Sequence, residues 1–227
     1  MSPKKDSKDT SFTLASLEKE ASRRGARINK EFLNAFTFIK KTDKSVTFFG
    51  STRVMPNSKH YKQARILAEK IVKKLGHSIV TGGGPGIMEA GNRGAKESGG
   101  VSIGFNIILP YEQSKNQYLT ESLDFYYFFS RKVALYFSAE ACVFFPGGFG
   151  TLDELFDLLT LVQTGKTTKM PIILIGKDYW DPLNTFIKKH LYNAHKFVDL
   201  TDMDLYTITD DLDEVIEIIR KAPIRRE

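Results

Sequence analysis

From Ser45 onward the chain alternates short apolar runs with longer segments in which apolar residues recur every three or four positions, as from Tyr61 to Leu75. Strands separated by helices of this length are typical of βαβ units, whose strands are parallel. We therefore predict an α/β fold with a doubly wound, mostly parallel sheet and helices on both faces. The predicted strands are Val46–Phe49, Ser78–Val80, Val101–Phe105, Ala141–Phe145 and Pro171–Ile175.

The pattern divides the 227 residues into one domain with two tails. Residues 45–221 form the predicted domain, which a C-terminal helix over Asp210 to Arg220 completes. Residues 1–44 are a basic leader with a flexible start, followed by a helix within Ser16 to Ile39 that packs across the sheet or against a partner subunit. Residues 222–227 are a basic tail.

The net charge of +6 comes mainly from the leader, because residues 1–30 carry eight basic and four acidic side chains. A basic segment without interleaved aromatic residues is more typical of a solvated arm than of a nucleic-acid site. No apolar run approaches the roughly 18 residues of a membrane span, and the first ten residues are too polar for a signal peptide. We expect a cytoplasmic protein with no nucleic-acid partner and no membrane association.

Cysteine and histidine usage gives no sign of a metal or a redox centre. The single cysteine, Cys142, lies within an apolar run and is predicted to be a core residue. The four histidines lack the spacing of zinc ligands, so no metal is expected. Glu89 stands where the dinucleotide fingerprint requires a small residue, and Gly165–Thr167 completes no phosphate-binding Walker loop. We predict no cofactor.

Three of the predicted strands are followed by unusual loops: Gly50–Arg53, Thr81–Gly86 and Pro146–Thr151. In an open parallel sheet, ligands bind where loops leave the carboxyl ends of the strands. Glycine lets the backbone approach a ligand closely, and the N-terminus of the following helix attracts a phosphate. These loops together predict an anion-binding site.

Glu154 follows the third loop, and it has two interpretations. If Thr151 caps the next helix, Glu154 is its third residue, and Thr-x-x-Glu is a capping box with a purely structural role. Capping does not explain the proline and the glycines that come directly before it. Both interpretations remain open on the local pattern alone.

Arg131 and Lys132 follow an aromatic run, Leu123–Phe129, and begin a largely apolar segment. The aromatic run is typical of a core or an interface. Cations near the start of a helix oppose its dipole. They either extend to solvent or face an anion held by the glycine loops.

Together, Thr81–Ala90, Arg131–Lys132 and Pro146–Glu154 resemble the Lonely Guy (LOG) family, often labelled lysine decarboxylase-like. The resemblance covers roughly Val46 to Tyr192. It implies a Rossmann-like fold and phosphoribohydrolase activity, which cleaves a nucleoside 5′-monophosphate such as AMP or a cytokinin riboside monophosphate to the free base and ribose 5-phosphate. It also implies a homodimer or a larger homo-oligomer.

By the same resemblance, Arg131 and Glu154 match the catalytic pair. The residues that it implies for substrate binding are Ser51, Gly82, Gly83, Gly84, Gly86, Glu89, Lys132, Gly147, Gly148, Gly150 and Thr151. Many relatives that act on cytokinin precursors have Met-His-x-Arg-Lys where this chain has Phe128–Lys132, so the preferred base stays open. Phe129 and Asn116 are candidates for its selection. The alternative function is a non-catalytic carrier, similar to molybdenum-cofactor carrier proteins, that holds a phosphorylated ligand in the same loops.

Overall fold

A computed structural model of the protein describes residues 14–42, 44–109 and 115–224. The strands are β1 (Ser45–Phe49), β2 (Ser78–Thr81), β3 (Ser102–Ile107), β4 (Glu121–Phe125), β5 (Ala141–Phe144), β6 (Ile172–Leu174) and β7 (Thr207–Ile208). The helices are α1 (Leu14–Ile39), α2 (Lys59–Leu75), α3 (Ile87–Glu97), α4 (Phe128–Phe137), α5 (Phe149–Gln163), α6 (Lys177–Phe186) and α7 (Leu212–Arg220). The first thirteen residues of the predicted leader and the last three of the basic tail lie outside the described residues.

The seven strands form one parallel sheet in the order β4-β3-β2-β1-β5-β6-β7. The chain begins in the middle of the sheet, builds outward to β4, and then returns to add β5 on the other side of β1. This reversal confirms the predicted doubly wound fold, and it opens a crevice between the carboxyl ends of β1 and β5.

The sequence pattern did not identify the two edge strands. β4 is largely exposed and β7 has only two residues, so neither produces the apolar run that marks a buried strand. The five strands that were predicted all lie in the buried centre of the sheet.

Helices cover both faces of the sheet and enclose a separate core on each. The first core packs against α1, α4, α5 and α6, and the second packs against α2, α3 and α7. Cys142 is fully buried in the first core, as predicted, and burial raises the pKa of its thiol. Ala35 and Ile39 of α1 also lie in this core, so the leader helix packs on the sheet next to α4.

Within the described residues, no helix is both long enough and apolar enough to cross a bilayer.

Candidate active site

A cleft of about 660 Å³ opens at the carboxyl ends of the central strands, at the switch point of the sheet. Ten of the thirteen predicted site residues line it: Ser51, Gly82, Gly83, Gly84, Arg131, Lys132, Gly148, Gly150, Thr151 and Glu154. The fold thus brings together residues that lie up to about one hundred positions apart in the sequence.

The other three predicted residues lie beside the cleft and do not line it. Glu89 accepts a hydrogen bond from the Tyr61 hydroxyl, 2.7 Å away, and so joins α3 to α2. Gly86 caps α3 at φ 71°, where a Cβ would clash with the backbone of the β1 loop. A Cβ on Gly147 would clash with the Thr151 side chain. The structure gives each of these three residues a role in shaping the fold around the site.

The start of α5 differs from the predicted capping box. The helix begins at Phe149 after an N-cap at Gly148, which places Thr151 in the first turn and Glu154 in the second. Thr151 is instead buried against Gly147. The capping interpretation of Glu154 was therefore wrong.

The first turn of α5 presents unsatisfied donors to the cleft. The amides of Phe149, Gly150 and Thr151 have no hydrogen-bond partner among the described residues, and all three residues line the cleft. The β1 loop is joined to the loop before this turn, since the Ser51 amide donates to the Pro146 carbonyl at 3.1 Å. Free amides at the positive end of a helix dipole suit an anion.

The Gly82–Gly84 loop makes space for two polar side chains. A Cβ on Gly82 would clash with Nη2 of Arg131, and a Cβ on Gly83 would clash with Oδ1 of Asn106. Gly83 also has φ 72°, a conformation that residues with a side chain rarely adopt. Glycine at both positions therefore lets the loop lie directly against Arg131 and Asn106.

A buried polar network holds this loop from behind. Asn116 donates hydrogen bonds to the Gly84 carbonyl at 3.1 Å and to the Asn92 side chain at 2.9 Å. The Thr81 hydroxyl accepts a hydrogen bond from the Gly83 amide at 2.9 Å. Asn116 therefore supports the glycine loop, and neither it nor Phe129 lines the cleft.

Arg131 and Glu154 face the cleft from α4 and α5. Burial lowers the pKa of Arg131, and the nearby Glu154 carboxylate opposes that shift. Burial raises the pKa of Glu154 to about 7, although the Arg131 charge lowers it. No direct ion pair joins the two within the described chain, and Nε of Arg131 is buried there without a hydrogen-bond partner. Arg131 and Glu154 therefore line the same cleft, and Arg131 retains a hydrogen-bond donor that a ligand can use.

Lys132 is the neighbouring cation, and it has acidic partners. Its Nζ lies 3.1 Å from both Asp153 and Asp157. Burial disfavours its charge, but the two carboxylates raise its pKa overall, so Lys132 stays protonated.

A carboxylate from the leader helix holds the start of α4. Glu31 is 9% exposed, and it accepts hydrogen bonds from the Tyr126 amide at 2.8 Å, the Tyr127 amide at 3.4 Å and the Ser130 hydroxyl. A carboxylate here satisfies donors at the N-terminus of α4 and complements its dipole. Glu31 thus binds Ser130, the residue directly before Arg131.

We expect Glu31→Ala to destabilise the protein by about 1–3 kcal/mol, because buried donors at the start of α4 would lose their acceptor. Urea unfolding followed by circular dichroism measures this loss. Glu31→Gln keeps one acceptor oxygen and should lose less. Equal, negligible losses in the two variants would show that Glu31 does not hold α4.

The structure adds cleft residues that the sequence interpretation did not include: Arg53, Met88, Asn106, Lys115, Phe128 and Phe149. Arg53 lies in a loop already singled out after β1, so its position was available from the pattern. Asn106 is a polar residue near the end of a buried strand, which is a further usable signal. Phe149 is 94% exposed at the mouth of the cleft, and nothing in its sequence context indicated that exposure.

A family model and several relatives match this chain. A family model described as possible lysine decarboxylase matches residues 88–219. The cytokinin riboside 5′-monophosphate phosphoribohydrolase of Rhodococcoides fascians is 24% identical over 184 residues, covering 79% of this chain and 90% of the relative. The enzyme of the same name from Mycobacterium marinum is 27% identical over 144 residues, covering 63% and 76%.

Solved structures share the fold. The X-ray structure of TM1055 superposes with a TM-score of 0.59 at 25% identity, covering 79% of this chain and 99% of that one. A molybdenum cofactor carrier protein from Chlamydomonas reinhardtii gives a TM-score of 0.56 at 20% identity, covering 79% and 98%. At that identity the carrier protein shows the fold alone. The family model spans more than half of this chain, and the chain therefore belongs to the LOG family, described as possible lysine decarboxylases.

Proposed function

We propose that the protein is a nucleoside 5′-monophosphate phosphoribohydrolase that hydrolyses the N-glycosidic bond of AMP or a cytokinin riboside monophosphate. The observation that carries the proposal is that Arg131 and a partly buried carboxylate, Glu154, line one cleft beside the free amides of α5. Relatives named as phosphoribohydrolases support it.

The phosphate binds at the first turn of α5, where the amides of Phe149, Gly150 and Thr151 are free. Arg53, on the adjoining β1 loop, adds a cation to the lining of the cleft. Binding a phosphate remote from the breaking bond supplies energy for positioning the sugar. The N-terminus of α3 is less suited, because the amide of its first residue, Ile87, already donates to the Ser51 carbonyl at 3.1 Å.

Once the phosphate is bound, Glu154 acts on the ribose. When the bond between C1′ and the base nitrogen breaks, the electron pair leaves with the base and positive charge develops on the ring. The Glu154 carboxylate stabilises that charge and orients the water whose oxygen bonds to C1′. The base nitrogen takes up a proton, so the products are the free base and ribose 5-phosphate. The Arg131 guanidinium holds the substrate through charge-assisted hydrogen bonds, and its charge favours the ionised form of Glu154.

The family label suggests a decarboxylase, but the lysines of the cleft do not favour it. A Schiff base requires an uncharged amine, which proteins obtain by lowering the pKa of a lysine. Lys132 is paired with two carboxylates that raise its pKa, and Lys115 lies 2.7 Å from Asp124. Hydrolysis of a nucleotide requires no uncharged lysine, so protonated Lys132 and Lys115 are compatible with it.

The alternative is a carrier that holds a phosphorylated ligand without turnover. A passive phosphate site has no use for a partly buried carboxylate, which repels an anion and costs stability when it ionises. The raised pKa of Glu154 therefore favours an enzyme over a carrier.

Incubation with a panel of purine and pyrimidine nucleoside monophosphates, with the matching nucleosides as controls, tests the proposal. We expect release of free base from a monophosphate and much slower release from its nucleoside, because the nucleoside lacks the group that α5 binds. If no monophosphate in the panel releases its base, the proposed activity is wrong.

The pKa of Glu154 predicts the pH dependence. The carboxylate must be ionised to stabilise positive charge, and burial raises its pKa to about 7. We therefore expect kcat/KM to rise with pH through about 7 and to level off above it. Steady-state rates from pH 5.5 to 9 provide the measurement. A rate that falls over this range would assign Glu154 the role of a proton donor instead.

A homo-oligomer remains the expectation for the assembly. Tyr126, Phe128, Phe129 and Phe137 are each about half exposed near the start and end of α4, while Phe125 of the same aromatic run is fully buried. Exposed aromatic residues are enriched in interfaces. Gel filtration with light scattering should give at least twice the mass of one chain, and a monomer at micromolar concentration would contradict this prediction.

A further inference from the structure

Asn106 is a polar residue in the wall of the cleft, and the orientation of its amide is determined. It lies near the carboxyl end of β3 and is 7% exposed. Its Nδ2 donates to Asp124 Oδ1 on β4 at 3.1 Å and to the Gly104 carbonyl at 3.3 Å. Both partners are acceptors only, so the reverse orientation of the amide would place oxygen against oxygen. Lys115 in turn holds Asp124 at 2.7 Å.

This orientation turns Oδ1 towards the Gly82–Gly84 loop. A Cβ on Gly83 would clash with that oxygen, so the loop lies against one side of it, and Asn106 still lines the cleft. No donor among the described residues bonds to Oδ1 of Asn106. The cleft thus contains a fixed, nearly buried acceptor, and a ligand that brings a donor is favoured over one that brings another acceptor.

The sheet indicates which part of the ligand reaches Asn106. The phosphate site at the start of α5 follows β5, and β3 lies three strands away in the order β3-β2-β1-β5. Strands are about 4.8 Å apart, so the two points are separated by about 14 Å. A nucleoside monophosphate has a comparable length. With its phosphate on α5, the outer edge of its base therefore lies near β3.

We propose that Asn106 selects 6-aminopurine nucleotides by accepting a hydrogen bond from the amino group of the base. Adenine presents a donor at this position, whereas guanine and hypoxanthine present a carbonyl oxygen. An oxygen facing Oδ1 leaves both acceptors without a partner, and a site built in this way rejects the analogue strongly. This inference rests on the proposed function for the orientation of the nucleotide. Asp124 is the positioning residue that keeps the acceptor turned towards the base.

The experiment compares AMP with IMP, which differ in the group at position 6. For the wild type we expect kcat/KM for AMP to exceed that for IMP by at least about tenfold, as one unpaired buried acceptor implies. Asn106→Ala should bring the ratio close to one, mainly by lowering the value for AMP. Asp124→Ala releases the amide and should lower the ratio as well, whereas Asp124→Asn keeps an acceptor for Nδ2 and should restore it. Asp124→Ala serves as the test if Asn106→Ala fails to fold.

The result separates this inference from the proposed function. If the wild type hydrolyses AMP and IMP equally well, or if the ratio survives in both alanine variants, Asn106 does not select the base although the activity stands. If neither nucleotide is hydrolysed, calorimetry of AMP and IMP binding decides. Tighter AMP binding that Asn106→Ala abolishes would support the selection without the activity. Equal affinities, or no binding of AMP, would overturn it.

Discussion

Glu154→Gln should lower kcat by about a hundredfold or more, since it removes the carboxylate that stabilises developing positive charge. Glutamine has nearly the same shape, so the cleft keeps its form and KM for the nucleotide should change little. Steady-state release of base from the best nucleotide of the panel measures both constants. A variant with near-wild-type kcat would remove Glu154 from the mechanism.

Two controls show whether such a loss is chemical. Asp153→Asn changes the neighbouring carboxylate, whose side chain is 63% exposed, and should cost less than about tenfold. The second control is stability. The pKa of Glu154 in the folded protein is raised from 4.5 to about 7, so ionisation in the folded state costs stability as the pH rises through that range. Glu154→Gln should therefore have a higher Tm than the wild type at pH 8, and a smaller difference at pH 5.

Arg131→Met should lower kcat/KM by about a hundredfold and should shift the pH profile of kcat/KM to higher pH. The Arg131 charge lowers the pKa of Glu154, so without it burial alone acts and the carboxylate ionises at higher pH. The pH dependence of kcat/KM in the variant and in the wild type measures both effects.

Arg131→Lys is the matched variant, because it keeps the charge and loses the planar set of donors. Its pH profile should stay close to that of the wild type, while its rate stays low. A profile that does not move in Arg131→Met would show that the two charges do not act on each other across the cleft.

Strong local patterns predicted most of the fold. Central strands such as Ala141–Phe144 are buried on both sides, so they appear in the sequence as continuous apolar runs. The edge strand Glu121–Phe125 is solvated and lacks that signal. The parallel, doubly wound character of the sheet followed from the βαβ pattern, whereas the order of the strands comes from the structure.

The site was predictable where glycines in a loop indicate that the backbone approaches a ligand or a side chain closely. The loops around Gly83 and Gly148 indicated the cleft, but the sequence did not show what each glycine accommodates. Long-range contacts account for what was missed. Glu31 reaches the start of α4 from almost one hundred residues away, and Asn106 depends on a partner on an edge strand that the pattern did not identify.

Local sequence also misplaced the start of a helix. Thr-x-x-Glu resembles a capping box wherever it occurs, yet α5 begins at Phe149, two residues before Thr151. Glu154 is thereby released from capping, and it lies in the cleft beside Arg131.

Hydrolysis of AMP in water enriched in oxygen-18 is the most direct measurement. We predict adenine and ribose 5-phosphate in equal amounts over many turnovers, with one heavy oxygen at C1 of the sugar when the product is trapped by reduction before it exchanges with solvent. Phosphate released together with adenosine would contradict cleavage at the glycosidic bond. One equivalent of AMP retained per chain, with no product formed, would contradict catalysis and favour a carrier.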